Sequence, residues 1–179
     1  MIEKAKHFAT KAHQGQKRKN SQEDYIVHPI RVAETLRKEG YSKELICAGY
    51  LHDVVEDTDY TLTDIENHFG PTVKSLVAAH TEDKTKPWQE RKQHTIETVR
   101  QGSFEVKALI VADKLDNLKS LQKELERHGD AVWSNFNAGC ESQKWYNQSI
   151  AEAMTQGLTP DQIPNYFHQY KKLIKQTFD

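Results

Sequence analysis

Between Cys47 and Thr58 the chain reads Cys-Ala-Gly-Tyr-Leu-His-Asp-Val-Val-Glu-Asp-Thr. Its second half crowds His52, Asp53, Glu56 and Asp57 into about one and a half turns of helix. His52 and Glu56 are i,i+4 neighbours, as are Asp53 and Asp57, so the spacing predicts one continuous polar ledge. Leu45, Ala48 and Leu51 recur on the apolar side of the stretch before it. With a helix end near Thr58, three carboxylates sit at the negative end of the macrodipole, each disfavoured by roughly 0.3–1 kcal/mol. A metal ion held beside His52 is the most economical answer to that charge. His28 and Asp113 supply further donors, the latter inside the apolar run Leu109-Ile110-Val111-Ala112-Asp113. A carboxylate there is costly unless paired. His28, His52, Asp53 and Asp113 together make a nitrogen and oxygen shell suited to one divalent transition metal with room for water. The duller alternative makes His28 a helix cap and Asp113 a buried ion-pair partner.

These residues need helices to bring them together, and the chain offers them in order. Ile2, Ala5, Phe8, Ala9 and Ala12 form a first stripe, ended by Gly15. Residues Gly15 to Ser21 read as a loop carrying the cations Lys17, Arg18 and Lys19. His28-Pro29 opens a second helix with Ile30, Ala33 and Leu36 inward, closed by Gly40. Ser42 caps the helix bearing the Cys47–Thr58 stretch. Thr63 and Glu66 have the spacing of a capping box, and Phe69-Gly70-Pro71 stops one helix and starts another that buries Val73, Leu76 and Val77. A charged helix follows from about Trp88 to Arg100. Ser103 caps an apolar helix holding Asp113, Asp116 and Asn117. The pattern weakens over Glu124–Ser142, where Val132, Trp133 and Phe136 are the apolar contacts, and returns at Trp145, Ile150 and Met154. Thr159 and Gln162 cap a last helix that presents Ile163, Phe167, Tyr170 and Ile174. The expectation is an all-α, compact multi-helix fold, with room for a short β-hairpin in the Arg18–Tyr25 loop.

The 179 residues suffice for one domain spanning 1–179. Hydrophobic residues make up 36% and charged residues 28%, and no apolar run approaches the roughly 20 residues of a transmembrane helix. No apolar signal-peptide segment follows Met1–Lys6, so a soluble cytoplasmic protein is expected. Cys47 falls in an apolar helical stretch and reads as a buried reduced thiol rather than half of a disulfide with Cys140. A net charge of −1 without a long basic run argues against nucleic-acid binding, and nothing marks an oligomer interface.

The order His28, His52-Asp53, Asp113 resembles the HD-domain metal-dependent phosphohydrolases. More narrowly, the chain is similar to the small alarmone hydrolases and the hydrolase half of the bifunctional alarmone enzymes. The matching segments are His13–Lys19, Tyr25–Ala33, Leu51–Thr58, Ile65 with Phe69-Gly70, and Ala112–Leu115 with Asn117-Leu118. The core motifs run from Phe8 to Leu121, and residues 122–179 would complete the pocket. The resemblance implies one metal ion, manganese in the family, on His28, His52, Asp53 and Asp113. It implies that Glu56 and Asp57 handle the attacking water, and that Arg18, Lys19 and Asn117 lie at the substrate. The implied reaction removes the 3′-pyrophosphate of guanosine tetra- or pentaphosphate. Such chemistry suits the residues: a metal acidifies water, a carboxylate accepts its proton, and Arg grips phosphate through two donors.

The substrate wall departs from the resemblance. Asp116 stands where small alarmone hydrolases usually have tyrosine, and Asn135–Ser149 holds no arginine, only Trp145-Tyr146 as its aromatic pair. A phosphohydrolase for another nucleotide or phosphoester, and a non-catalytic nucleotide sensor, are therefore the alternative readings. Lys84 and Lys86 read as loop-solubilising, Lys114 as an ion-pair partner, and Trp145 and Tyr146 as core. His7, His68, His128 and His168 read as surface or helix-end residues. His80 and His94 fall between the metal motifs, where a two-metal site would draw further ligands.

Overall fold

The computed structural model describes residues 1–19, 21–136 and 138–179, so Asn20 of the basic loop and Asn137 lie outside the described residues. The helices are α1 Ile2–Ala12, α2 Val27–Lys38, α3 Lys43–Leu51, α4 Val54–Asp57, α5 Leu62–Phe69, α6 Pro71–His80, α7 Trp88–Gln101, α8 Phe104–His128, α9 Cys140–Ala153 and α10 Asn165–Phe178. Single 3₁₀ stretches occupy Gly129–Asn135 and Pro160–Gln162. Among the described residues there is no β-sheet. The strand pair allowed for near Arg18–Tyr25 shrinks to one antiparallel bridge, Lys17 to Asp24, flanked by Arg18 N–H to Glu23 carbonyl (2.9 Å) and Tyr25 N–H to Gln16 carbonyl (2.9 Å).

Most local signals act as the spacing suggests. Ser42 accepts from the Leu45 amide and Ser103 from the Val106 amide, each satisfying an orphan donor of its helix. Gly70 takes φ +91°, a conformation open to glycine, and lets Pro71 start α6 directly after α5.

Four expectations are corrected. The Cys47–Thr58 helix is not continuous: α3 stops at Leu51 and α4 restarts at Val54. The His52 ring takes the Gly49 carbonyl through Nδ1 at 2.7 Å, the carbonyl that the Asp53 amide would use in an unbroken helix. Glu56 and Asp57 thus sit on a new first turn, and no single ledge forms. The capping box belongs to Thr61 and Asp64, whose side chains exchange bonds with each other's amides, while Glu66 pairs instead with Lys74 at 2.6 Å. Thr159 and Gln162 close a box on the 3₁₀ turn only, because Pro164 holds Ile163 extended and α10 begins after it. Finally, α8 runs 25 residues to His128, past Leu121 and into the stretch from Glu124 where the apolar pattern thins, with Glu124 itself buried.

One continuous apolar core runs from Ala5 to Ile174. At its centre α2 packs on α3, and both pack on α8. Gly49 makes the α2–α3 approach possible: a Cβ there would stand 2.9 Å from the Ala33 Cα and 3.0 Å from Leu36 Cδ1. No helix among the described residues is long and apolar enough to cross a membrane. Cys47 is buried and unpaired, as its apolar setting suggested.

Candidate active site

The three central helices each contribute to one buried cluster. The first turn of α2 presents His28, the turn after α3 presents His52 and Asp53, and the middle of α8 presents Asp113. All four are buried, and one donor atom from each lies within 4.8 Å of the others. His28 Nε2 is 2.9 Å from Asp113 Oδ1, His52 Nε2 is 2.9 Å from Asp53 Oδ2, and His52 Nε2 is 3.3 Å from Asp113 Oδ1. The two Nε2 atoms are 3.2 Å apart. Separations of this size are the edges of a polyhedron with metal–ligand bonds of roughly 2.1 Å.

The outer ring nitrogens fix what faces inward. Nδ1 of His52 meets a carbonyl, which can only accept, so the proton sits on Nδ1 and Nε2 carries a lone pair. Nδ1 of His28 donates to Asp116 Oδ2 at 2.7 Å, with the same result. Two nitrogen lone pairs and two carboxylates then converge with no donor among them, and a cation fits that donor set. Without one, a proton is a local substitute. Burial opposes a charge on His52, yet Asp53 and Asp113 outweigh it and hold the imidazole protonated well above its usual range. Burial would likewise raise both carboxyls, but His52 beside Asp53, and Lys114 with His80 beside Asp113, hold them well below theirs.

A second ring of contacts orients the cluster. Tyr25 donates its hydroxyl to Asp53 Oδ2 at 2.5 Å. Asp113 Oδ2 receives Lys114 Nζ and His80 Nε2, both at 2.9 Å. Asn117 donates to Asp113 Oδ1 at 3.2 Å and accepts from Arg18 Nη2 at 3.2 Å, so the basic loop reaches the cluster through one side chain. Glu56 is half-buried; Oε1 accepts the Glu82 amide at 2.5 Å, and burial raises its carboxyl above the ordinary range. Asp57 Oδ1 is held by Lys84 Nζ at 2.8 Å, and its carbonyl by Gln16 Nε2 at 2.9 Å.

Beside the cluster lies a cleft of about 360 Å³. Among the described residues, Arg18, Lys19, Arg91, Lys92 and Lys114 line it, with Glu124 as the only carboxylate and Trp88, Phe136 and Tyr146 as aromatic walls. Arg91 and Lys92 are partly offset by Glu82, at 3.6 and 2.9 Å. Arg18 and Lys19 have no carboxylate partner among the described residues and lie over the Tyr25 and Phe136 rings, at 5.6 and 4.8 Å.

Every expected metal donor is therefore in the cluster, Asn117 and Arg18 join it, and Lys19 lines the cleft. His94 is exposed on α7, as are His7, His68, His128 and His168 on their own elements. Sequence reasoning left three contributors without their observed role. His80 extends the Val73, Leu76, Val77 spacing of α6, so its inward face was readable. Asp116 lies three residues after Asp113 on the same face of α8, yet stood out only as a departure from the resemblance. Tyr25 carries no local signal, because its partner is 28 residues away. Lys84 is drawn to Asp57 rather than merely solvating its loop. Tyr146 is buried as core but also forms a cleft wall.

Comparison with known proteins agrees with this geometry. The HD domain family matches residues 5–141. Guanosine-3′,5′-bis(diphosphate) 3′-pyrophosphohydrolase MESH1 of Xenopus tropicalis is 40% identical over 155 residues, covering 85% of this chain and 78% of that protein. The crystal structure of lmo0812 from Listeria monocytogenes EGD-e superposes with a TM-score of 0.81 at 54% identity, over 84% of this chain and 98% of that one. A metazoan ortholog of SpoT, described as hydrolysing ppGpp, superposes with a TM-score of 0.79 at 30% identity, over 98% of this chain and 94% of that one. With the family match spanning His28, His52, Asp53 and Asp113, which could together hold a metal ion, this chain belongs to the HD domain family.

Proposed function

We propose that the chain is a metal-dependent phosphohydrolase that removes the 3′-pyrophosphate of guanosine 3′,5′-bis(diphosphate), using one divalent ion, manganese, on His28, His52, Asp53 and Asp113. The observation that carries this reading is the convergence of four acceptor atoms beside a cleft with five cationic side chains. A divalent ion held there lowers the pKa of water and offsets charge on the phosphoryl oxygens.

The chain's own groups supply the rest. Glu56, one turn beyond His52, accepts the proton of the attacking water; its burial keeps it a stronger base than an exposed glutamate. Asp57 anchors Lys84 at the rim, so of the two acids Glu56 is the better placed as base. Arg18, Lys19 and Lys92 receive the pyrophosphate charge, and Asn117 aligns Arg18 with Asp113. As water adds to phosphorus, the bond from phosphorus to the sugar 3′ oxygen breaks, pyrophosphate leaves, and the 3′ oxygen takes up a proton. Residues 1–179 act as one domain in this reading, with α9 closing the cleft through Gln143, Tyr146 and Asn147 and the protein working in the cytoplasm.

A second reading rests on that same wall. Here α9 contributes two amides and a phenol and no arginine, which suits a different nucleotide or phosphoester. A panel of nucleotides, each with and without Mn²⁺, separates the two. Pyrophosphate release from guanosine tetraphosphate should exceed that from ordinary nucleotides and require the metal. Equal or slower release from the tetraphosphate would transfer the function to whichever nucleotide is turned over fastest.

A further inference from the structure

His28 is gripped at both ring nitrogens by one helix. Asp113 Oδ1 lies 2.9 Å from Nε2 and Asp116 Oδ2 lies 2.7 Å from Nδ1, the two acids standing three residues apart on α8. Asp116 is 8% exposed, and its second oxygen accepts Arg31 Nε at 2.8 Å. Arg31 in turn forks its terminal nitrogens onto Glu23, at 3.0 and 3.2 Å. A ring flip of His28 would set carbon atoms against both carboxylates, so the ring has one orientation. Neither Asp116 nor Arg31 reaches the inner donor set, and the proposed reaction uses neither.

We infer that Asp116 is a positioning residue for the metal centre, holding the proton of His28 on Nδ1 so that Nε2 faces the cation as a donor. Its negative charge strengthens that donor, as a carboxylate behind a ligating imidazole does elsewhere. Arg31, locked by Glu23, keeps Asp116 facing His28 rather than turning inward to compete for the ion. The clamp also ties the metal centre to the segment carrying Arg18 and Lys19, since Glu23 is bonded through its carbonyl to the Arg18 amide. This inference rests on the metal-centre reading above.

The test is Mn²⁺ titration of the metal-stripped full chain, following free ion by its spin resonance, together with the visible spectrum of the Co²⁺-loaded protein. Asp116→Asn keeps the shape and removes the charge; it should weaken Mn²⁺ binding roughly 10–100-fold and shift the Co²⁺ bands, while circular dichroism of the metal-free chain below its melting range keeps the native helix content. Asp116→Glu should bind more tightly than Asp116→Asn because the charge returns. In a His28→Gln background, which has lost the ligand that Asp116 aims, Asp116→Asn should cost no further affinity. Native-like Mn²⁺ affinity in Asp116→Asn overturns the inference, as does the same loss in both backgrounds or a glutamate that binds no better than asparagine. A native chain that takes up no Mn²⁺ overturns the metal centre, and this inference with it.

Discussion

The Nε2 atoms of His28 and His52 face each other 3.2 Å apart, each with its Nδ1 already committed outward. Two such lone pairs repel unless something positive stands between them and the carboxylates of Asp53 and Asp113. Three helices are arranged to create that convergence. The close α2–α3 packing over Gly49 brings the two histidines together, and α8 lays Asp113 across both.

Removing one carboxylate should empty the centre. In Asp53→Ala the cation loses a donor and the Tyr25 hydroxyl loses its acceptor. Equilibrium dialysis should find no stoichiometric Mn²⁺ at concentrations that saturate the native chain. An alanine variant that still holds one ion per chain removes Asp53 from the ligand set.

Glu56→Gln separates base from scaffold. Glutamine can still accept the Glu82 amide and take the same space, so metal binding and fold should persist while turnover falls roughly 10²–10⁴-fold. Near-native turnover would move the base elsewhere. In the metal-free chain the Glu56 carboxyl should titrate above the ordinary glutamate range, because burial raises it, as carbon-13 NMR of the side-chain carboxyl will show.

The same substitution carries a stability signature in the metal-free chain. A carboxyl raised on folding binds its proton more tightly in the folded state. Folding is therefore favoured below the unfolded value and loses that advantage as pH rises through the folded one. Glutamine carries no buried charge, so metal-free Glu56→Gln should melt no lower than native at neutral pH, as a thermal scan will show. A clear drop there would mean that the ionised carboxylate stabilises the fold.

Arg18→Gln should raise KM for a polyphosphate substrate about tenfold or more while leaving Mn²⁺ affinity close to native. Its guanidinium has only neutral hydrogen-bond partners among the described residues, Asn117 and Ser120, so its charge is free for an anion, and such contacts are worth roughly 1.5–3 kcal/mol. Steady-state kinetics on the variant decide it; an unchanged KM takes Arg18 out of the substrate site.

Gly49→Ala tests the packing beneath the site. The added methyl meets the α2 backbone at 2.9 Å, and overpacking of this kind costs about 1–3 kcal/mol. Differential scanning calorimetry should record a lower Tm. Mn²⁺ affinity should fall as well, because the Gly49 carbonyl that aims His52 moves with the helix. An alanine chain as stable as native contradicts the close approach.

What the sequence made legible follows from how local each signal is. Ser42, Ser103 and the Gly70-Pro71 junction act within one turn and needed nothing else. Asp113 was visible as a costly carboxylate in an apolar run, His52 and Asp53 through the excess charge around them, and all four, His28 included, as a family pattern, although only packing joins them. The break after Leu51 escaped notice because it depends on the rotamer of His52, which competes for a backbone carbonyl. The Asp116–Arg31–Glu23 chain was hidden because its partners come from three separated segments, 85 and 8 residues apart. Pro164 was the exception: a local signal sufficient to delay α10, outweighed in the reading by the capping pattern before it.

The most direct measurement is pyrophosphate release from guanosine tetraphosphate by the metal-stripped chain as Mn²⁺ is restored, with bound ion counted in the same samples. Release should be absent without metal and rise in proportion to occupancy of a single site per chain. Full-rate release from the stripped chain, or release that does not follow occupancy of that site, contradicts a hydrolase built on His28, His52, Asp53 and Asp113.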